Sequence, residues 1–237
     1  MTQSTLLYPP QTVIWQALMV VDDLLRYPYR FVHELAHGIN LPQKIQAMVI
    51  CSLLFLASYG TLLGSTHSGA QMVSTAIKTP LLFLVTLLIC APTLYIINLL
   101  FGFNLTFSQS VSLVLMDITI TATLLLSFAP VTLLFVLTVP ETYASFVFLN
   151  FIFYSFASAI GGGFLYQAVK QIATSPKLPT KPLLFVWFIV YGFVGTQLAW
   201  RLRPFIGHPN EPFVLFRHLE GDVYTSIFEL FRYMVGL

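Results

Sequence analysis

The chain has 237 residues, of which 57% are hydrophobic and only 8% charged, with a formal net charge of +2. A soluble domain carries about a quarter charged residues, so this chain cannot cover a water-facing surface, and a soluble globular fold is excluded. The small charge is scattered rather than drawn into a basic stripe, which gives no footing to a nucleic-acid partner.

The stretch before Asp22 and Asp23 lacks the basic start of a cleavable signal peptide, and none is expected. Neither end carries a lipidation motif. Residues 11–38 read as helical but too broken to span a bilayer. Ile14, Leu18, Val21 and Leu25 recur at helical spacing, while Gln11, Gln16, Asp22 and Arg26 fall largely on the other side. Pro28 should kink or split the helix near Tyr27. The pattern fits an amphipathic helix in the headgroup plane, ended by Gly38 and the Asn40-Leu41-Pro42 step.

Five apolar runs follow. The first span is expected at about 45–63, with Lys44 as a headgroup anchor, and then a loop from Gly64 to Ser74. The second is expected at 80–101 with Pro92 inside it, and the third at 109–137 with Pro130 inside it. The third exceeds the roughly 20 residues a bilayer core requires, so it must tilt, kink or protrude. The fourth is expected at 143–169 and the fifth at 183–200, joined by a hydrophilic connector. Residues 201–237 then read as a Pro/Gly turn and an amphipathic helix over 221–235, with Val223, Ile227, Leu230, Phe231 and Met234 on one face. The expected fold is all-α: a polytopic membrane protein with an N-terminal region (1–44), a five-helix bundle (45–200) and a C-terminal region (201–237). Cys51 and Cys90 lie inside apolar runs and read as buried or lipid-facing thiols. No internal repeat supports an inverted-repeat transporter.

The basic residues nearly balance across the membrane. A cytoplasmic N-terminus places Arg26, Arg30, Lys44, Lys170, Lys177 and Lys181 inside, and leaves Lys78, Arg201, Arg203, Arg217 and Arg232 outside. The lysines between the fourth and fifth spans tilt the expectation toward that orientation.

Four features bear on chemistry. His33-Glu34-Leu35-Ala36-His37 is H-E-x-x-H, which on a helix places two imidazoles one turn apart for zinc, with the Glu as base. A third ligand is missing at any familiar spacing, and a polar helix face near headgroups is the favoured reading; no metal is expected. Asp117 is the acid well inside a predicted span. It reads either as a cation or proton site, or as a structural pair or interfacial carboxyl, with the latter favoured. Ser110, Ser112, Thr119, Thr121, Thr123 and Ser127 share its helix; such hydroxyls bond across helices or back to their own backbone more often than they line a pore. Gly161, Gly162 and Gly163, with Ala157 and Ser158, form small-x-x-x-small pairs that allow close helix approach. Arg201, Arg203, Arg217, Glu220 and Asp222 belong to the densest charge in the chain. They read as interfacial anchoring, or as a plug ion-paired through Arg217 with Glu220 or Asp222.

The stretches 78–102 (KTPLLFLVTLLICAPTLYIINLLFG), 124–138 (LLLSFAPVTLLFVLT), 191–209 (YGFVGTQLAWRLRPFIGHP) and 215–231 (LFRHLEGDVYTSIFELF) resemble a family of uncharacterised cyanobacterial multi-spanning membrane proteins. Automated labels often call that family "actin-binding". The resemblance covers about residues 40–235 and implies a multi-spanning protein in the plasma or thylakoid membrane. It carries over no catalytic residue and no cofactor. Nothing in the chain has the form of a short basic actin-binding helix, so actin is not expected as a partner, and the H-E-x-x-H lies outside the matching stretches. A looser similarity, of architecture alone, is to the five-span Yip family. The expected partners are the bilayer and other membrane subunits or further copies of the chain, and the expected role is a non-enzymatic subunit, scaffold or assembly factor. The alternatives are an ion channel or transporter using Asp117, and a zinc hydrolase using His33, Glu34 and His37.

Overall fold

In the computed structural model, residues 12–138, 143–173, 178–207, 212–216 and 232 are described. Among them there are helices and no strands: α1 (Val13–Arg26), α2 (Pro28–Ala36), α3 (Leu41–Gly64), α4 (Gly69–Leu100), α5 (Phe107–Thr138), α6 (Tyr143–Ile172) and α7 (Thr180–Leu202). The last five are long and apolar enough to cross a membrane. The chain is an all-α polytopic protein, as its apolar runs predict. The expected C-terminal amphipathic helix, and Arg217, Glu220 and Asp222 with it, lie outside the described residues.

The N-terminal break has a local cause. Pro28 has no N–H to extend α1, and it pushes Tyr27 out of the helical region, to φ −130° and ψ 57°. The same proline suits the first position of α2, where the N–H would be unpaired anyway. Gly38 (φ 70°) and Asn40 (φ 52°), both left-handed, then turn the chain into α3. Both short helices pack onto the bundle. Ala17 and Val21 of α1 are buried with Ala47 and Cys51 of α3. The α2 helix lies across the ends of α5 and α6, where Gln109 donates to the Ala36 carbonyl (2.6 Å) and Gln171 to that of Tyr29 (2.7 Å). The first turn of α1 leaves Val13, Ile14 and Trp15 exposed. This end of the bundle, where α3 begins, is the near end.

The second span starts eleven residues before the expected Pro80. The Ser68 side chain accepts the Gln71 N–H at 3.3 Å and caps α4, so most of the expected loop is helix and the actual turn is residues 65–68. Here α3 and α4 touch backbone to backbone. A Cβ at Gly60 would stand 2.5 Å from the Thr75 carbonyl oxygen, and one at Gly64 2.6 Å from that of Gln71. The start of α5 is a capping box: the Thr106 N–H donates to Gln109 Oε1 (2.8 Å), and Thr106 Oγ1 accepts the Gln109 N–H (3.3 Å). Both α4 and α5 have 32 residues, about 48 Å of helix against a hydrocarbon core of about 30 Å. The least enclosed of the five is α7, whose buried residues are Leu183, Leu184 and Trp187.

Candidate functional site

At the near end, His33 and His37 stack with ring centroids 4.1 Å apart, and His37 Nδ1 meets the His33 carbonyl at 2.8 Å. Glu34 turns the other way. Its carboxylate pairs with the Lys44 ammonium and lies 3.7 Å from Arg30. Lys44 is itself buried, with its ammonium 4.6 Å from the centre of the Phe31 ring. The expected headgroup anchor is therefore corrected: Lys44 clamps α2 to α3, because a carboxylate ten residues upstream satisfies its charge inside the fold. That clamp also occupies the residue zinc hydrolysis would need as a base. Among the described residues no group of three His, Cys, Asp or Glu side chains is arranged for a metal ion.

Further in from the near end, the bundle holds Asp117. Its residue surface is partly covered, its Oδ1 is enclosed, and that oxygen has no hydrogen-bond partner. No ion pair among the described residues includes it. Facing it from α6 is Gly161: a Cβ there would overlap Asp117 Oδ1 and come within 2.6 Å of Thr121 Oγ1. From α4 and α7, Cys90 and Tyr191 lie within electrostatic range of one another and Tyr191 of Asp117. The four residues share one level. Asp117 is ten residues from the near-end start of α5, Cys90 ten from the near end of α4, and Gly161 and Tyr191 eleven from those of α6 and α7. At 1.5 Å per residue, each is about 15–17 Å into its helix. With α5 centred on a core of about 30 Å, Asp117 lies about 6 Å inside the hydrocarbon, where a carboxylate costs less than the ~2.5–3.5 kcal/mol of the bilayer centre but is still unfavourable. Among the described residues, Asp117 Oδ1 thus lacks the structural partner that one branch of the favoured sequence reading gave it.

The hydroxyls on the same helix are turned to their own backbone. Ser110, Ser112, Thr119, Thr123 and Ser127 donate to the carbonyls of Thr106, Gln109, Leu115, Thr119 and Thr123. Thr119 also meets Ser52 of α3 at 3.1 Å. Deeper toward the far end, the buried Tyr59 hydroxyl donates to Asn150 Oδ1 (2.6 Å) and lies 3.3 Å from Thr132 Oγ1, joining α3, α5 and α6.

At the far end, the segment after α7 folds onto the start of α4. Gln71 donates to the carbonyls of Pro204 (3.1 Å) and Phe205 (3.2 Å), and Thr75 donates to that of Phe205 (2.7 Å). The buried Lys78 ammonium donates to the carbonyls of Pro204 (3.4 Å) and Leu215, and sits 4.9 Å from the centre of the Phe216 ring. Arg201 is exposed, and the Arg203 guanidinium stacks 3.4 Å above Trp200. The described part of this cap rests on backbone carbonyls. Sequence patterning missed it, because the signal lies in donors at 71, 75 and 78, on one helix face, that a run of Ser, Gly and Thr disguises as loop. The cap and Asp117 lie toward opposite ends, as five spans require.

The three glycines of α6 divide among three environments. Gly161 faces Asp117 and Thr121. Gly162 faces the Phe188 ring of α7, which a methyl group at that position would meet at 2.7 Å, and Gly163 faces open space. Gly163 belongs with Ser155 and Ala159, at four-residue spacing, to an exposed stripe on α6. The stripe lines an open, mainly apolar groove of about 650 Å³, walled on the other side by Leu184, Phe185 and Phe188 of α7. Comparison of the chain with protein-family models, curated proteins and solved structures finds no match.

Proposed function

We propose that this chain is a non-enzymatic integral membrane subunit, acting as scaffold or assembly factor, which packs a transmembrane helix of another subunit or of a second copy into the groove between α6 and α7. The observation that carries the reading is the exposed stripe Ser155, Ala159 and Gly163. Small residues at four-residue spacing let a neighbouring backbone approach closely, and packing of this kind associates helices in lipid, where hydrophobic burial supplies no drive. Gly161 is already used within the chain against Asp117 and takes no part in the outer contact, whereas Gly162 lines the groove beside Phe188. The test is copurification after gentle extraction. Wild-type protein should migrate within a larger assembly, and Ala159→Leu and Gly163→Leu should release it as a folded single chain. Wild-type protein that is a solitary monomer under the same extraction refutes the proposal. The orientation that accompanies this reading puts the near end in the cytoplasm, with Lys170 and Lys181 beside it. The membrane it occupies, plasma or thylakoid, follows from the cyanobacterial resemblance.

A second reading, ion passage past Asp117, draws on the unpartnered carboxylate oxygen. It requires that a cation or proton flux into liposomes be abolished by Asp117→Asn. Wild-type and variant proteins equally silent to a panel of ions end it.

A further inference from the structure

We infer that Asp117 is a proton-binding site inside the bundle, and that its protonated form is what lets α5 close against α6 at Gly161. The inference shares Asp117 with the ion-passage reading but needs no path through the bundle, and it is independent of the subunit reading.

The argument begins from what the carboxyl lacks. An ionised carboxylate accepts hydrogen bonds on both oxygens, whereas the neutral acid needs far less from its surroundings. Asp117 Oδ1 is enclosed and receives nothing. Apart from the neutral Thr121 hydroxyl, one turn further along α5 at the same contact, the described elements around it offer no free donor. From α6 the facing residue is a glycine without a side chain. From α7 the Tyr191 hydroxyl is committed to the Phe83 carbonyl at 2.9 Å. From α4 the Cys90 thiol points at the Val190 carbonyl, 4.0 Å away. Among the described residues Tyr191 is the titratable group that bears on Asp117, with Cys90 beside Tyr191; neither carries a positive charge. The α3 helix reaches α5 through Ser52 and Thr119, whose hydroxyls bond each other and the Leu115 carbonyl. The α2 helix meets α5 at Gln109, near its start. A metal cation would need several converging oxygens. Here the oxygens at the contact are those of Asp117 and Thr121, and glycine hydrogens close the opposite side. A proton is the cation that fits without added ligands.

The geometry also says what the proton controls. Gly161 lets α6 lie directly on the carboxyl. Removing the proton leaves a charge that only water or new donors can satisfy, and water gains access when α6 lifts from α5. The packed form is therefore favoured at low pH and weakened as pH rises through the titration of Asp117. The glycine makes the contact an all-or-none one, because no side chain can rearrange to fill a partial gap.

The test uses the full chain in nanodiscs. Infrared difference spectra between acid and alkaline buffer should show the carbonyl band of a carboxylic acid free of strong hydrogen bonds. That band should move when aspartate is labelled with ¹³C at its carboxyl carbon, and should be missing from Asp117→Asn. Hydrogen exchange corrected for intrinsic base catalysis should show α5 and α6 loosening with pH in wild type and pH-independent in Asp117→Asn. If Asp117→Asn does not fold, Asp117→Glu decides, because the band should then no longer shift with the aspartate label, which also marks Asp22, Asp23 and Asp222. No labelled acid band at any pH where the protein stays folded, or equal pH response in wild type and variant, overturns the inference. A silent liposome assay beside a clear band removes only ion passage, and loss of copurification in Gly163→Leu with the band intact leaves this site untouched.

Discussion

Alanine placed at each of the three consecutive glycines of α6 should give three different results from one chemical change. The helix-propensity gain, about 1 kcal/mol per Gly→Ala, is common to all three and cancels in comparisons among them. What remains is the new methyl group. At Gly161 it would overlap the Asp117 carboxylate and stand 2.6 Å from Thr121 Oγ1 and 3.1 Å from the Asp117 carbonyl oxygen, so α5 and α6 must part. Overpacking of that kind costs about 1–3 kcal/mol. At Gly162 the methyl meets only the tip of the Phe188 ring at 2.7 Å, a side chain on the weakly enclosed α7 that can swing aside. At Gly163 it meets nothing within 4 Å. The expected stability order is Gly163→Ala above Gly162→Ala above Gly161→Ala, with the extremes about 1–3 kcal/mol apart, or roughly 5- to 150-fold in the unfolding equilibrium. Reversible unfolding in mixed micelles, followed by circular dichroism at fixed lipid-to-detergent ratio, measures it. If Gly161→Ala is as stable as Gly163→Ala, the α5–α6 contact at Asp117 is wrong, and the inference built on it fails as well.

Three further outcomes follow from the polar contacts. Lys44→Met and Glu34→Gln should each destabilise, and a double-mutant cycle should show coupling between them, below the about 3–5 kcal/mol lost when a fully buried pair is broken, since Glu34 keeps Arg30 nearby. The exposed pair Asp22–Arg26 is the control: Arg26→Ala should leave the unfolding curve where it was. Tyr59→Phe should cost about 1–3 kcal/mol by stranding Asn150 Oδ1, and adding Asn150→Leu should recover part of that loss. Lys78→Met and Gln71→Leu should speed protease cleavage within 203–216 without changing helix content; cleavage at the wild-type rate would mean that the carbonyl contacts do not hold this segment.

The five spans were legible because apolar length is a local property, set by bilayer thickness and helix rise. The break at Pro28 was legible for the same reason: a proline's effect reaches only its neighbours. What escaped depends on partners far away in sequence. Residues 69–74 read as loop because they continue a run rich in small and polar residues, and the second span is expected only from 80, yet the donors of Gln71, Thr75 and Lys78 meet carbonyls 126–137 residues later. Lys44 read as an anchor because a lysine beside a span usually reaches water, yet the turn after α2 brings Glu34 back onto it. For Asp117, periodicity gave its helix and its membrane depth only loosely. The long span suggested a carboxyl close to the interface, and the overhang of a 32-residue helix at each end of the core acts in the same direction. Its surroundings come from α4, α6 and α7, whose rotational phases no single-chain pattern fixes.

The polar residues of this bundle therefore sort by whether the fold has answered them. At the near end an acid answers the buried lysine, and at the far end backbone carbonyls do. Between them Tyr59, Asn150 and Thr132 answer one another. Other enclosed atoms without a hydrogen bond, Ser74 Oγ, Asn98 Oδ1 and Trp187 Nε1, belong to neutral groups, for which a missing bond costs far less than an unpaired charge. Asp117 is the acid in that set, and a methyl-sized change at position 117 or 161 would remove the problem: asparagine keeps the shape without the charge, and alanine would keep α6 off the carboxyl. The bundle instead pairs an ionisable side chain with the one residue type that lets another helix lie on it. Packing alone does not call for that combination, since an uncharged residue against Gly161 would pack as closely. A requirement for reversible charge at this level does.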